Sequence, residues 1–64
     1  MYQIYAVLRD ARGMNDFQVA KATGIDPATF GHWKAGKYTP KIDKIMKIAD
    51  LFGVPLEVFY KKEA

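Results

Sequence analysis

The chain has 64 residues, half of them hydrophobic, and a formal net charge of +3. This length predicts one small domain over residues 1–64. The chain has no cysteine, which excludes disulfides and thiolate metal sites, and its one histidine cannot build a metal site alone. No apolar run is long enough to span a membrane, and no charged region precedes the N-terminal apolar stretch, so we expect a cytoplasmic protein without a membrane partner. We also expect neither a metal nor a cofactor.

The first predicted helix covers residues 2–12. Ile4, Leu8 and Ala11 recur there at helical spacing, and Gly13 follows as a terminator. This pattern predicts that one face of the helix packs against the rest of the domain.

The second predicted helix covers residues 16–23 and begins with a capping box. Asn15 is suited to cap the first turn, and Gln18 stands three residues later, where a capping partner is preferred. The Asn15 amide and the helix start behind it are also suited to receive a phosphate. We expect this helix to bury Phe17, Val19 and Ala20.

A turn at Gly24 and Ile25 leads to the third predicted helix, over residues 27–35. Gly24 supplies the positive φ that a tight turn between two helices requires. Asp26 is suited to cap the new helix, and Pro27 occupies its first position, where the missing N–H does no harm.

The two central helices have the spacing of a helix-turn-helix. Ala20 is followed by Gly24 four residues later and by the large apolar Phe30 six residues after that. Apolar side chains are predicted to fill the angle between the helices: Val19, Ile25, Phe30 and Trp33. Because the second helix of such a pair can enter a DNA major groove, the spacing predicts DNA binding.

Basic residues are concentrated between positions 34 and 47. Five of the ten lysines and arginines lie there with only one acid, Asp43. A clustered basic face is typical of proteins that bind a polyanion, and the alternative is a solvated surface. Within this segment, Lys44 and Lys47 are interpreted as a solvated stripe on the fourth helix.

The fourth predicted helix covers residues 42–52 and a short fifth one begins at Pro55. The fourth helix has an apolar repeat at Ile42, Ile45, Met46, Ala49 and Phe52, and the fifth offers Leu56, Phe59 and Tyr60 for packing. No segment alternates like a β-strand. The sequence therefore predicts an all-α, compact five-helix bundle that contains a helix-turn-helix.

Several large apolar residues near the two ends exceed what one small core requires. Excess exposed aromatic side chains often mark an interface, so we expect dimerisation through the terminal segments. The alternative is that these side chains cover the ends of the core. The residues concerned are Tyr2, Tyr5, Leu51, Val58 and Tyr60.

The order of elements resembles the lambda-repressor-like, Cro/C1-type helix-turn-helix domain, also called the XRE family. Four strings carry the resemblance, in order and at family spacing: LRDARGMN, VAKATGI, FGHWKAGKYTP and KIMKIADLFGVPLEVFY. Members are mostly sequence-specific DNA-binding regulators, many from phages or mobile elements, and most act as dimers. The resemblance implies a repressor-like homodimer that binds double-stranded DNA without a cofactor or a small-molecule ligand.

The resemblance also implies which residues meet the DNA. Residues 17–23 become the supporting helix, residues 27–35 the recognition helix, and the loop at residues 36–41 the part that lies on the phosphate backbone. The Tyr38 hydroxyl is suited to a phosphate, and the alternative is a ring that covers Gly36 or the start of the fourth helix. The candidate DNA contacts are Asn15, Gln18, Pro27, Ala28, Thr29, His32, Lys37, Tyr38 and Lys41.

Two charged positions depart from the family pattern. Asp16 stands where many members carry glutamine, and an anion there is expected to repel a phosphate. Many members pair an arginine of the first helix with a glutamate late in the recognition helix. Here Arg9 is present but Lys34 occupies the glutamate position, so that ion pair cannot form.

The recognition helix has short side chains where many members have long polar ones. Pro27, Ala28 and Gly31 leave His32 as the long polar side chain of the predicted groove face. This composition keeps a second function open, a protein-interaction module on the same fold with weakened DNA readout. An enzyme is not expected, because no nucleophile and base are paired by spacing.

Overall fold

A computed structural model describes residues 1–60, which form four α-helices followed by a 3₁₀ helix. The helices are α1 (Tyr2–Ala11), α2 (Asp16–Thr23), α3 (Pro27–Lys34), α4 (Ile42–Phe52) and the 3₁₀ helix (Leu56–Tyr60). No strand occurs within this range. The predicted all-α class is confirmed, and α1 and α3 end one residue earlier than predicted. The fifth helix is a 3₁₀ helix.

The predicted capping residues form the starts of α2 and α3. The Asn15 side chain accepts from the Gln18 backbone N–H at 2.8 Å, and the Gln18 side chain accepts from the Asn15 N–H at 3.0 Å. Asp26 caps α3 by accepting from the Ala28 N–H at 3.0 Å. Gly24 has φ +76° and ends α2, as the turn requires.

Aromatic rings from α1, α3 and α4 build the centre of the core. The Tyr5 ring lies 5.2 Å from the rings of both Phe30 and Trp33, centroid to centroid, and 6.2 Å from the Phe52 ring. Tyr5 is fully buried, so its assignment to a surplus of terminal aromatics was wrong. The reason is that α1 packs over the helix-turn-helix, which puts Tyr5 between the two rings of α3.

The other members of that terminal set are distributed between core and surface. Tyr2 and Leu51 pack against the core as partly buried side chains. Val58 is half-buried, and Tyr60 is exposed at the end of the 3₁₀ helix. Phe59 is the side chain that this short helix buries in the core.

Several residues of the predicted apolar faces are exposed instead of buried, and they are Ala11, Phe17, Ile42, Met46 and Tyr60. Phe17 is 66% exposed, because it lies two residues before buried Val19 and thus about 200° around the helix from it. Ile42 and Met46 are also exposed, because the buried face of α4 centres on other residues of that helix: Ile45, Ile48, Ala49 and Phe52.

The inward-facing residues of the helix-turn-helix follow the prediction. Ala20 is buried, and so are the four side chains expected to fill the angle between the helices: Val19, Ile25, Phe30 and Trp33. At the far end of the domain, the Arg12 guanidinium donates to the Phe52 carbonyl and links the end of α1 to the end of α4. These contacts hold α3 with one face inward and the other free.

Candidate nucleic-acid interface

The outer face of α3 consists of small side chains and one imidazole. Pro27, Ala28, Gly31 and His32 are exposed, whereas Thr29 is half-buried. Phe30 and Trp33 point into the core, so the assignment of Trp33 to the core is confirmed. The helix therefore presents the predicted groove face to solvent, and the helical periodicity is the physical reason.

The start of α2 presents two amide groups to solvent. Asn15 and Gln18 are exposed, and the capping box uses their side-chain oxygens as acceptors. Their NH₂ groups have no hydrogen-bond partner within residues 1–60 and stay available as donors. A helix start with free donors is a favourable place for a phosphate.

The negative charge of Asp16 is compensated by a cation where α1 meets α2. One of its carboxylate oxygens accepts from the Arg9 guanidinium at 2.8 Å and from the Tyr5 hydroxyl at 2.7 Å. Arg9 also pairs with Asp10 at 2.9 Å and donates to the Tyr2 hydroxyl at 3.2 Å. The anion that the sequence placed near a phosphate is thus compensated by a cation in direct contact.

The junction raises the pKa of two of its side chains, Arg9 and Tyr5. The hydrogen bond to Asp16 raises the pKa of the Arg9 guanidinium above its usual value. Burial raises the pKa of the Tyr5 hydroxyl, and the hydrogen bond to Asp16 raises that pKa further. The neutral tyrosine and the charged arginine are therefore the stable forms.

Sequence reasoning missed this arrangement because it looked for the partner of Arg9 in α3. Lys34 is exposed and makes no ion pair within residues 1–60. As a cation it cannot pair with Arg9. The partner of Arg9 lies instead seven residues along the chain, across the turn between α1 and α2. Helical periodicity does not relate these two positions, because the turn between α1 and α2 interrupts it.

The segment at residues 34–47, named here the lysine segment, keeps its cations free of carboxylate partners. None of its five lysines makes an ion pair with any residue of the described range 1–60. Lys37 and Lys41 are exposed on the connection between α3 and α4. Unpaired, hydrated cations on one connection are the electrostatic arrangement that favours a polyanion.

Tyr38 and Lys44 contact each other at the base of the lysine segment. The Lys44 ammonium lies 5.8 Å from the centre of the Tyr38 ring, in cation–π range. Lys44 is half-buried, so its assignment to a purely solvated stripe was wrong. The ring covers the start of α4, which was one of the two alternatives for Tyr38. Its hydroxyl has no hydrogen-bond partner among the described residues.

The start of α4 differs from the starts of α2 and α3. Lys41 occupies the N-cap position and makes no side-chain capping bond. The Ile42 and Asp43 N–H groups of the first turn therefore have no side-chain capping acceptor among the described residues, whereas the Lys44 N–H donates to the Lys41 carbonyl at 3.0 Å. Positive partial charge from the helix start adds to the positive charge of the lysines.

Other kinds of site receive no support from the described residues. Histidine and acidic side chains do not gather into a metal-binding group within residues 1–60. In the same range, every helix is too short and too polar to cross a membrane.

Comparison with known proteins agrees with this geometry. The helix-turn-helix family profile matches residues 6–59. The chain belongs to the helix-turn-helix family. The expected Cro/C1-type resemblance is thereby confirmed for this helix-turn-helix protein.

A curated relative of this helix-turn-helix protein is the cryptic phage CTXphi transcriptional repressor RstR of Vibrio cholerae. The two are 33% identical over 49 residues, which cover 77% of this chain and 44% of the relative. The chain thus spans less than half the length of that repressor. No solved structure matches the chain.

Proposed function

We propose that this helix-turn-helix protein binds double-stranded DNA and regulates transcription as a phage-type repressor. The observation that carries the proposal is the free outer face of α3, which is next in the chain to the unpaired lysines of the lysine segment. Family membership and the relative RstR, a transcriptional repressor, support it. Residues 1–64 act in this proposal as one domain, in the cytoplasm and without catalysis.

In this docking mode α3 enters the major groove and the loop at residues 36–41 follows the phosphate backbone. The start of α3 and His32 face the base edges, while Lys37 and Lys41 reach phosphates. The NH₂ groups of Asn15 and Gln18 reach a phosphate on the other side of the groove. His32 supplies the hydrogen-bonded part of the readout, and the methyl groups of Ala28 and Thr29 contact thymine methyl groups.

A homodimer completes the proposal. The 3₁₀ helix exposes a shallow, mostly apolar cleft lined by Pro55, Leu56, Val58 and Tyr60. A second copy that covers this cleft would place two α3 helices in successive major grooves, about 34 Å apart. Occupancy of such a site would block access of RNA polymerase to the DNA.

Salt-dependent binding to duplex DNA tests the backbone part of this mode. Lys37→Ala is expected to weaken binding to all duplexes about equally and to reduce the salt slope by about one unit. The matched control is Lys47→Ala, because Lys47 lines a separate cleft with Thr23 and Asp50. Fluorescence anisotropy over a salt series measures both variants. Equal slopes for Lys37→Ala and the parent would contradict the assigned backbone contact.

Base preference tests the groove part. His32→Ala is expected to relax discrimination at one base pair per half-site by about 1–3 kcal/mol, while affinity for random duplex stays the same. Selection from a random pool supplies the preferred sequence, and competition with single-base variants gives the discrimination. A parent without any base preference would favour the second function, a protein-interaction module, for which the small side chains of Pro27, Ala28 and Gly31 are suited.

A further inference from the structure

Phe17 has the most exposed aromatic ring of residues 1–60. It is 66% exposed, against 44% for Tyr60 and 38% for Tyr38. Covering an exposed apolar ring of this size with a partner lowers the free energy, because apolar surface is removed from water. The packing of the domain does not explain the residue, since Val19 and Ala20 already form the buried face of α2.

The surroundings of Phe17 connect it to the recognition helix. Its ring lines a cleft that also includes Lys21, Gly24, Asp26 and Pro27. Phe17 lies in the first turn of α2 and Pro27 is the first residue of α3. The starts of both helices of the helix-turn-helix therefore open onto the same cleft.

The charges around the cleft suit a nucleic-acid backbone. Lys21 contributes a cation that makes no ion pair within the described part of the chain. The acid of the cleft, Asp26, is held as the cap of α3 by its bond to the Ala28 N–H. Donor groups of Asn15 and Gln18 lie one residue to either side of Asp16–Phe17 along the chain. A strand of alternating sugars and phosphates would meet an aromatic ring and a cation in this cleft.

We infer that Phe17 packs against a deoxyribose of the DNA backbone strand that α2 crosses. This inference rests on the proposed function, because it takes the cleft as continuous with the groove face of α3. When the N-terminal part of the recognition helix contacts base edges, the preceding helix crosses the backbone. The C–H face of a deoxyribose is apolar and fits the ring, while Lys21 and the amides take the phosphates on its two sides.

Binding to a mixed-sequence duplex tests the contact without knowledge of an operator. Phe17→Ala is expected to weaken binding about tenfold at every salt concentration and to leave the salt slope unchanged, because no counterion is released by an apolar contact. Phe17→Leu is expected to fall between parent and alanine. The matched control is Val7→Ala, since Val7 is 67% exposed but lies on α1. Both alanine variants should melt like the parent.

Photo-crosslinking identifies what covers the ring. With p-benzoylphenylalanine in place of Phe17, irradiation of the protein–duplex complex is expected to join protein to DNA, whereas the same group in place of Val7 is not. A crosslink from position 17 to a second copy of the chain would overturn the inference, and so would equal affinity of Phe17→Ala and Val7→Ala for the duplex.

The two proposals fail in different ways. If Lys37→Ala flattens the salt slope while Phe17→Ala binds like the parent, the deoxyribose contact is wrong and the proposed function stands. If the parent does not bind duplex DNA at all, both are wrong.

Discussion

Charged side chains are paired at the α1–α2 junction, whereas those of the lysine segment make no ion pair within residues 1–60. At the junction, Arg9 and Asp16 are in direct contact, and Tyr5 donates to the same carboxylate. In the lysine segment, five lysines and Asp43 make no ion pair with any of the described residues. Along the chain, most of the helix-turn-helix lies between the two regions.

The difference follows from how much water each region keeps. Arg9 has a side chain that is 18% exposed, and a charge withdrawn from water that far is costly unless a partner compensates it. Lys37 and Lys41 are exposed, so water solvates them and no partner is required. Paired charges thus orient helices within the domain, and unpaired charges stay available to a second molecule.

The largest expected effect is a loss of stability when Tyr5 of the junction is replaced. Tyr38 of the lysine segment provides the comparison. Tyr5→Ala removes a fully buried ring between Phe30 and Trp33 and is expected to cost about 3–5 kcal/mol of unfolding free energy, which would leave so small a domain largely unfolded. Tyr38→Ala removes a ring that is 38% exposed and is expected to cost less than about 1 kcal/mol. Thermal melts followed by circular dichroism measure both. Similar losses would show that the lysine segment is as important to the fold as the junction.

A smaller effect is expected in alkaline solution. Burial and Asp16 raise the pKa of Tyr5 in the folded state, whereas an unfolded tyrosine ionises near pH 10. The contribution of the neutral hydroxyl is therefore complete below about pH 10 and is lost as the pH rises, at up to about 1.4 kcal/mol per pH unit.

Tyr5→Phe removes this dependence and leaves every other titrating group in place. Denaturant unfolding of parent and Tyr5→Phe between pH 8 and pH 11 is expected to give curves that converge above pH 10. Curves that stay parallel over the whole range would contradict a raised pKa at Tyr5.

The smallest effect concerns the compensated anion at the start of α2. Arg9→Met leaves Asp16 without its cation and is expected to cost about 1 kcal/mol of stability and to weaken duplex binding about twofold to threefold. Asp16→Asn is expected to cost similar stability but to strengthen binding by a similar factor, since Arg9 then keeps a free charge near the DNA.

The double variant Arg9→Met with Asp16→Asn is the control, because it removes both charges together. We expect it to bind duplex DNA like the parent in low-salt anisotropy measurements. If all three variants bind alike, the junction contributes to the fold alone and has no influence on the DNA.

Local chemistry in the sequence determined where the helices begin and end. Asn15, Gln18 and Asp26 form hydrogen bonds with backbone groups within three residues of themselves. Gly24 ends α2 because glycine readily adopts the positive φ that the turn requires. Because these effects are short-ranged, the bounds of α2 and the start of α3 match the prediction, and the helix-turn-helix spacing predicted its buried face. The family was expected from a resemblance that four strings of the sequence carry.

Tertiary packing decided what each face of a helix meets. Whether Tyr5 is surplus or central depends on how α1 lies over α3, and Asp16 is compensated because the turn between α1 and α2 returns it to Arg9. Phe17 is exposed because Val19 and Ala20 occupy the face of α2 that packs against the core. Apolar periodicity marks residues that are able to be buried. Only the positions of the other helices determine which of those residues have a neighbour to cover them.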